Sequence, residues 1–199
     1  AIIEQLQNDP YVEKIELVCY ENDTNILELL QSNLDWTCAH SLKEVSYQIL
    51  TDNYILSQMS DYNYMLDANP NPKKYDLVIG NPPYMKVAKN APEALAMPDI
   101  CYGAPNLYFL FASMSLFNLS DNGEMVYIIP RSWTSGAYFK KFRQDFLNIG
   151  ALEHIHLFVS RDKVFEKESV LQETIIIKLK KTTQIPDTIT TVSYTHLTL

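Results

Sequence analysis

The stretch Asp76-Leu77-Val78-Ile79-Gly80-Asn81-Pro82-Pro83-Tyr84 decides how this chain is read. Leu77, Val78 and Ile79 form a short apolar run of the kind that makes a buried strand. The run stops at Gly80 and meets a rigid polar turn. Asn81 precedes a proline, which biases its backbone towards an extended conformation. Pro82 and Pro83 fix φ and carry no N–H, so the carbonyls of Asn81 and Pro82 are expected to stand outside any ladder. Tyr84 adds a flat ring. The result is two hydrogen-bond acceptors and a stacking surface at the carboxyl end of a strand, where open α/β sheets bind ligands.

An exocyclic amine on a planar ring suits this arrangement. The Asn81 side-chain oxygen accepts one N–H and the Pro82 carbonyl the other. Holding both protons keeps the nitrogen lone pair out of the ring π-system and makes it more nucleophilic. Stacking on Tyr84 contributes about 1–3 kcal/mol per base in comparable sites. Asn81-Pro82-Pro83-Tyr84 after an apolar strand resembles the catalytic motif of S-adenosylmethionine-dependent amino methyltransferases, above all the gamma-type N6-adenine DNA methyltransferases of restriction-modification systems. The resemblance covers about residues 1–181. It implies a Rossmann-like α/β sheet with an antiparallel C-terminal hairpin, S-adenosyl-L-methionine as cofactor and double-stranded DNA as substrate. Asn81, Pro82, Pro83 and Tyr84 would be its catalytic residues. A restriction endonuclease partner or a fused nuclease domain fits the same family. The family uses no metal in transfer, and none is expected here.

The rest of the chain supports the fold. Lys14 to Tyr20 reads as a strand, followed by Glu21 and a helix begun by Asp23 or Thr24. A strand ending in a carboxylate before a helix is the βα arrangement that receives ribose hydroxyls. Glu21 is therefore the candidate ribose ligand, against the plainer reading of a surface carboxylate. Val45 to Leu50 is the next strand. Asp52, with Tyr54 two places later, resembles the family position that accepts the cofactor's adenine amine; Asp61 and Asp67 compete for that role. Ser57 to Lys74 is polar and reads as a surface insertion.

Beyond Tyr84, an irregular stretch to Pro105 suggests a mobile lid or substrate loop. Asn106 to Leu119 reads as a core helix, Asp121-Asn122-Gly123 as a turn and Glu124 to Ile129 as a buried strand. Gly136 to Leu147 reads as an amphipathic helix. Ala151 to Val159 and Leu171 to Lys180 complete a hairpin. In the family, its connecting loop supplies an aromatic against the extruded base. Phe165 matches that position, or else anchors the hairpin.

Composition sets limits. The chain has 199 residues, 47% of them apolar, and a net charge of −8. Acid dominates residues 1–130, with 6 Lys and Arg against 17 Asp and Glu, whereas residues 131–181 hold 10 against 6. The basic surplus around Arg131, Lys140, Lys141 and Arg143 is either a phosphate-facing edge or a solvated helix face. Three cysteines without metal-site spacing fit a reducing cytoplasm. No apolar run is long enough to span a membrane. His154 and His156 alternate on one strand and read as ordinary strand residues.

The chain reads as an interior slice. It has no initiator Met, opens inside a helical pattern, and lacks a Gly-rich cofactor turn. In the family that turn precedes the Glu21 strand, and a recognition domain follows the last strand. The missing first strand would leave two sheet edges unpaired, so this polypeptide alone is expected to be poorly soluble and inactive. Residues 182–191 read as a truncated linker. Residues 192–199 resemble a translated sequencing adapter. Two rivals stay open. One is a protein-(glutamine-N5) methyltransferase of the release-factor type, the other a non-catalytic DNA-binding methylase-like subunit.

Overall fold

The computed structural model describes residues 2–63, 74–158, 173–182, 184, 186 and 188–194. The chain forms two compact units, Ala1–Ser57 and Gln58–Leu199.

In the first unit, helix α1 (Ile2–Asn8) precedes strand β1 (Lys14–Tyr20), helix α2 (Leu27–His40), strand β2 (Glu44–Leu50) and a helical turn α3 (Tyr54–Ser57). β1 and β2 pair in parallel from Lys14↔Glu44 to Tyr20↔Leu50. The α2 crossover makes that parallel pairing possible. α2 starts later than Asp23 or Thr24 because Asp23 folds back locally. Its carboxylate accepts from the Asn25 N–H at 2.9 Å and the Asn25 side-chain amide at 2.7 Å. This Asx turn competes with helix initiation.

The second unit opens with a helical turn α4 (Met59–Tyr62) and strand β3 (Tyr75–Gly80). Helices α5 (Pro92–Ala96) and α6 (Leu107–Asn118), strand β4 (Leu119–Pro130) and helix α7 (Lys140–Ile149) follow. Strands β5 (Gly150–Phe158), β6 (Thr174–Lys181) and β7 (Thr190–Tyr194) complete it. The five-stranded sheet runs β3-β4-β6-β5-β7. β3 and β4 are parallel; β6 is antiparallel to both β4 and β5; β7 runs parallel to β5. The architecture is the expected α/β class with an antiparallel C-terminal pair. Among the described residues, β1 pairs only with β2, and β3 only with β4.

α6 lies against β4 and is buried almost all round, through Tyr108, Phe109, Leu110, Met114 and Leu116. α7 is amphipathic. Its Phe142 and Phe146 are fully buried against Phe109 and Trp133. Full burial of each such ring contributes roughly 1.5–3 kcal/mol.

Three local readings need correction. Ser57 to Lys74 is not wholly a surface insertion. Gln58 is buried, and its side-chain oxygen accepts from the buried Asn118 amide at 2.9 Å. The turn at Asp121-Asn122-Gly123 lies inside β4 rather than before it. The register jumps from Tyr75↔Leu119 to Leu77↔Glu124, and Asn122 takes φ of 67° in the resulting bulge. Finally, the stretch after Tyr84 is packed, not a loose lid. Ala94, Ala96, Met97 and Ile100 are buried. Of the eight residues read as foreign, Val192, Ser193 and Tyr194 take part in β7.

Candidate active site

β3 delivers the motif. Its last residue, Gly80, pairs with Tyr127 of β4. A Cβ at Gly80 would stand 2.6 Å from Cε1 of Tyr127, so no side chain fits here without moving that ring. Tyr127 is buried, and its hydroxyl lies 2.6 Å from the Ser115 hydroxyl on α6. Burial pushes the Tyr127 phenol up to about 12, so it stays protonated. The floor beneath the motif is therefore a fixed ring.

Asn81 is exposed, Pro82 buried and Tyr84 half-buried. Among the described residues, none donates a hydrogen bond to the Pro82 carbonyl. The Tyr84 hydroxyl lies 2.7 Å from Asn81 Oδ1 and 3.0 Å from the Ile128 carbonyl. Its ring meets Tyr108 edge to face, with centroids 6.4 Å apart. Burial raises the Tyr84 phenol to about 12. It is a neutral donor throughout the physiological range.

A backbone clasp closes directly behind Tyr84. The Leu107 N–H donates to the Met85 carbonyl at 2.9 Å, and the Val87 N–H to the Pro105 carbonyl at 2.8 Å. Lys86 and Asn106 thus form an isolated antiparallel bridge. The intervening segment, which includes α5, is closed at its neck by these two bonds. Met85 and Tyr102 are exposed on it.

The basic surplus divides. Arg143 is structural: its guanidinium donates to the carbonyls of Trp133, Ser135 and Gly136 at 2.8–2.9 Å. Arg131 pairs with Glu173 at 2.7 Å. Lys140 and Lys141 remain exposed at the start of α7. Lys86 sits 5.3 Å above the Tyr138 ring. A cavity of about 770 Å³ opens beside the end of β4, floored by Ile155, Leu157 and Ile175 and edged by Arg131 and Ser132.

In the first unit, the structure brings Glu21 and Asp52 to the same end of the β1–β2 pair. The Glu21 N–H donates to the Leu50 carbonyl at 3.0 Å, which carries the β1–β2 contact one residue past Tyr20. One Glu21 carboxylate oxygen accepts from the Asp23 N–H at 2.8 Å. Asp52 is exposed just beyond β2. Asn53, beside it, caps α3 by accepting from the Ile55 and Leu56 N–H groups. Tyr54 is buried edge-on against Tyr20, with centroids 4.8 Å apart, and so serves the core. The competitor Asp61 lies on α4, in the other unit. Asp67 and Phe165 fall outside the described residues.

Sequence reasoning missed Tyr127, Ser115 and Ile128. The first two support the motif and the third supplies a carbonyl to it. A tyrosine opposite the glycine that ends a neighbouring strand was the only available signal, and it needs the register to be known.

The family model described as the Eco57I restriction-modification methylase matches residues 8–165. The chain belongs to that family. Among curated members and relatives, it is 36% identical over 161 residues to the Type II methyltransferase M.BsuBI of Bacillus subtilis, spanning 78% of this chain and 32% of that one. It is 35% identical over 171 residues to the Type II methyltransferase M.PstI of Providencia stuartii, spanning 84% and 33%. The Eco57I-family chain thus spans about a third of the length of these relatives. Solved structures of other proteins share its fold. A protein from Listeria monocytogenes described as a class I S-adenosylmethionine-dependent methyltransferase superposes with a TM-score of 0.63 at 15% identity, over 99% of this chain and 64% of that one. The type IIG restriction endonuclease BpuSI superposes at 0.56 and 18% identity, over 92% and 24%. The fold of this family member is Rossmann-like, of the class I methyltransferase type.

Proposed function

We propose that the complete protein is a DNA methyltransferase that uses S-adenosyl-L-methionine to methylate N6 of an adenine rotated out of the duplex. One observation carries this reading: at the carboxyl end of β3 the Asn81 side-chain oxygen lies 2.7 Å from the hydroxyl of the half-buried Tyr84, in a segment whose Pro82 carbonyl receives no hydrogen bond from the described residues. Asn81 Oδ1 and the Pro82 carbonyl accept the two N6 protons and draw the nitrogen out of conjugation. Tyr84 holds the base by stacking. Extrusion costs a few kcal/mol of stacking and pairing, which the pocket must offset. Phe165 is the further aromatic assigned to the base.

The chemistry of the first unit fits the cofactor. Glu21 and Asp52 are acceptor-only carboxylates, matched respectively to ribose hydroxyls and to an adenine amine. The backbone around Glu21 is fixed by its own N–H and by the Asp23 turn. When bound, the cofactor supplies an electrophilic methyl carbon whose bond to sulfur breaks with the electron pair kept by sulfur. The surplus N6 proton passes to water. Lys140 and Lys141 supply a phosphate-facing edge in this reading. A restriction endonuclease partner, or a nuclease fused in the same chain, completes the system, and the setting is the cytoplasm.

The test uses the full-length protein with duplex DNA and methyl-labelled cofactor, and identifies the modified nucleosides by mass spectrometry. N6-methyladenine is the expected product. Label on cytosine, or on a protein glutamine instead of DNA, would overturn the assignment.

A further inference from the structure

The Tyr84 hydroxyl stands between two oxygens, Asn81 Oδ1 at 2.7 Å and the Ile128 carbonyl at 3.0 Å. A phenol has one proton, so it serves one acceptor at a time. The Ile128 carbonyl is the more demanding of the two. It lies one residue beyond Gly80↔Tyr127, the last paired position of β3 and β4, where β3 no longer supplies a ladder partner. A peptide carbonyl in that position takes its proton from Tyr84 or from water.

The Asn81 amide has a choice that Ile128 lacks. Turning it about its last torsion exchanges an oxygen for an NH₂ at the end facing Tyr84. With the nitrogen facing Tyr84, every group is matched. The Asn81 amide N–H donates to the phenol oxygen, and the phenol O–H donates to the Ile128 carbonyl. Oδ1 is then released from Tyr84 at the exposed end of the side chain. With the oxygen facing Tyr84, the hydroxyl proton competes for the acceptor that an incoming amine requires.

We propose that the Tyr84 hydroxyl, seated on the Ile128 carbonyl, is a positioning group that turns the Asn81 amide so that its oxygen meets the substrate amine. The proposal rests on the reading that Asn81 accepts from an exocyclic amine. It separates two roles within one side chain: the ring stacks and the hydroxyl orients. β4 thereby takes part in the chemistry through a main-chain carbonyl that no substitution of Ile128 removes.

The test compares Tyr84→Phe, Asn81→Asp and the double variant in the full-length protein. Single-turnover methyl transfer reads the chemistry. Fluorescence of 2-aminopurine at the target position reads base seating, because that base lacks a 6-amino group and senses the ring alone. Tyr84→Phe is expected to slow transfer about tenfold, equivalent to one hydrogen bond, with DNA KM and 2-aminopurine fluorescence unchanged. Asn81→Asp presents an oxygen at both ends, so nothing remains to be oriented. In that background Tyr84→Phe is expected to cost less than about twofold.

Equal losses in both backgrounds would overturn the positioning role, as would a fall in 2-aminopurine fluorescence parallel to the rate. So would an Asn81→Asp protein without measurable transfer, since its carboxylate offers the needed oxygen in either orientation. Wild-type protein that transfers no methyl to adenine would instead bring down the functional reading, and the positioning role with it.

Discussion

The two units hold their candidate residues in different ways. In Gln58–Leu199 the motif stands on a sheet backed by α6 and α7, with Tyr108, Phe109, Phe142 and Phe146 fully buried beneath it. In Ala1–Ser57 the buried apolar residues are Ile15, Leu34, Tyr54 and Ile55, while Leu29 and Trp36 of α2 are exposed. The residues proposed for the reacting nitrogen are mounted on the more deeply packed unit. Those assigned to the cofactor stand on a thin parallel pair. Placement matters most where a lone pair must be aimed, because an error of about 1 Å costs roughly 10²-fold in rate. A carboxylate receiving hydroxyls tolerates more.

The largest effect that would sharpen this contrast is at Asn81. Asn81→Ala in the full-length protein is expected to lower methyl transfer by about 10³-fold or more, by analogy with loss of one preorganised polar group at a reacting centre. Equilibrium binding of the cofactor should stay within about threefold. Retained turnover would remove Asn81 from the chemistry.

Next is Gly80→Ala, which drives a methyl group into the Tyr127 ring. Overpacking of this kind costs about 1–3 kcal/mol. The expected result is a lowered Tm together with a loss of rate of about 10²-fold, as the motif is displaced from its floor. Companion Tyr127→Phe should restore none of the rate, since the clash is with the ring. A Gly80→Ala protein with wild-type rate would show that the motif tolerates movement.

Glu21→Ala should act on the other unit alone. Loss of hydrogen bonds to a charged group corresponds to about 1.5–3 kcal/mol, so cofactor affinity is expected to fall about tenfold or more by calorimetry. Seating of 2-aminopurine at the target position should not change. A parallel loss of base seating would break the division of labour between the units.

The smallest effect lies at Asp145, half-buried on α7 and hydrogen-bonded by the Ser113 hydroxyl at 3.3 Å. Burial holds its carboxyl above the usual carboxylate range. A raised folded-state pKa means that the folded protein takes up a proton more readily than the unfolded chain. The ionised residue therefore costs stability at neutral pH, and the cost fades as pH falls through the folded-state pKa. Asp145→Asn is expected to raise Tm by a few degrees at pH 7. The gain should vanish in acid, as followed by thermal melts across pH.

Much of this arrangement was legible beforehand, for identifiable reasons. β1 runs from Lys14 to Tyr20 as read, and β3 ends at Gly80 as read, because apolar runs bounded by polar residues mark strands without help from the rest of the chain. The burial expected of Leu77-Val78-Ile79 is not found: Leu77 and Val78 are half-buried and Ile79 is exposed, because burial depends on what packs against the strand and not on its own sequence. The packed loop after Tyr84 was not legible. Ala94, Ala96, Met97 and Ile100 are small or irregularly spaced, and no periodicity betrays their burial. Arg143 was equally opaque. Its partners are main-chain carbonyls, which carry no signature in sequence, so a structural guanidinium reads the same as one that faces phosphate. The amide pair of Gln58 and Asn118 joins residues 60 positions apart and becomes visible only when the core is assembled.

The clasp between Met85 and Leu107 has a consequence for how such a protein can diversify. Two main-chain hydrogen bonds close the loop at its base, so the path of the chain around Tyr84 does not depend on the loop's outer length. At the far side, Tyr102 is exposed and Gly103 faces open space. Residues gained or lost there would alter what the loop reaches without disturbing the acceptors behind it. Selection can vary the reach and keep the chemistry, and an engineer inserting a short segment at Gly103 would be using the same freedom.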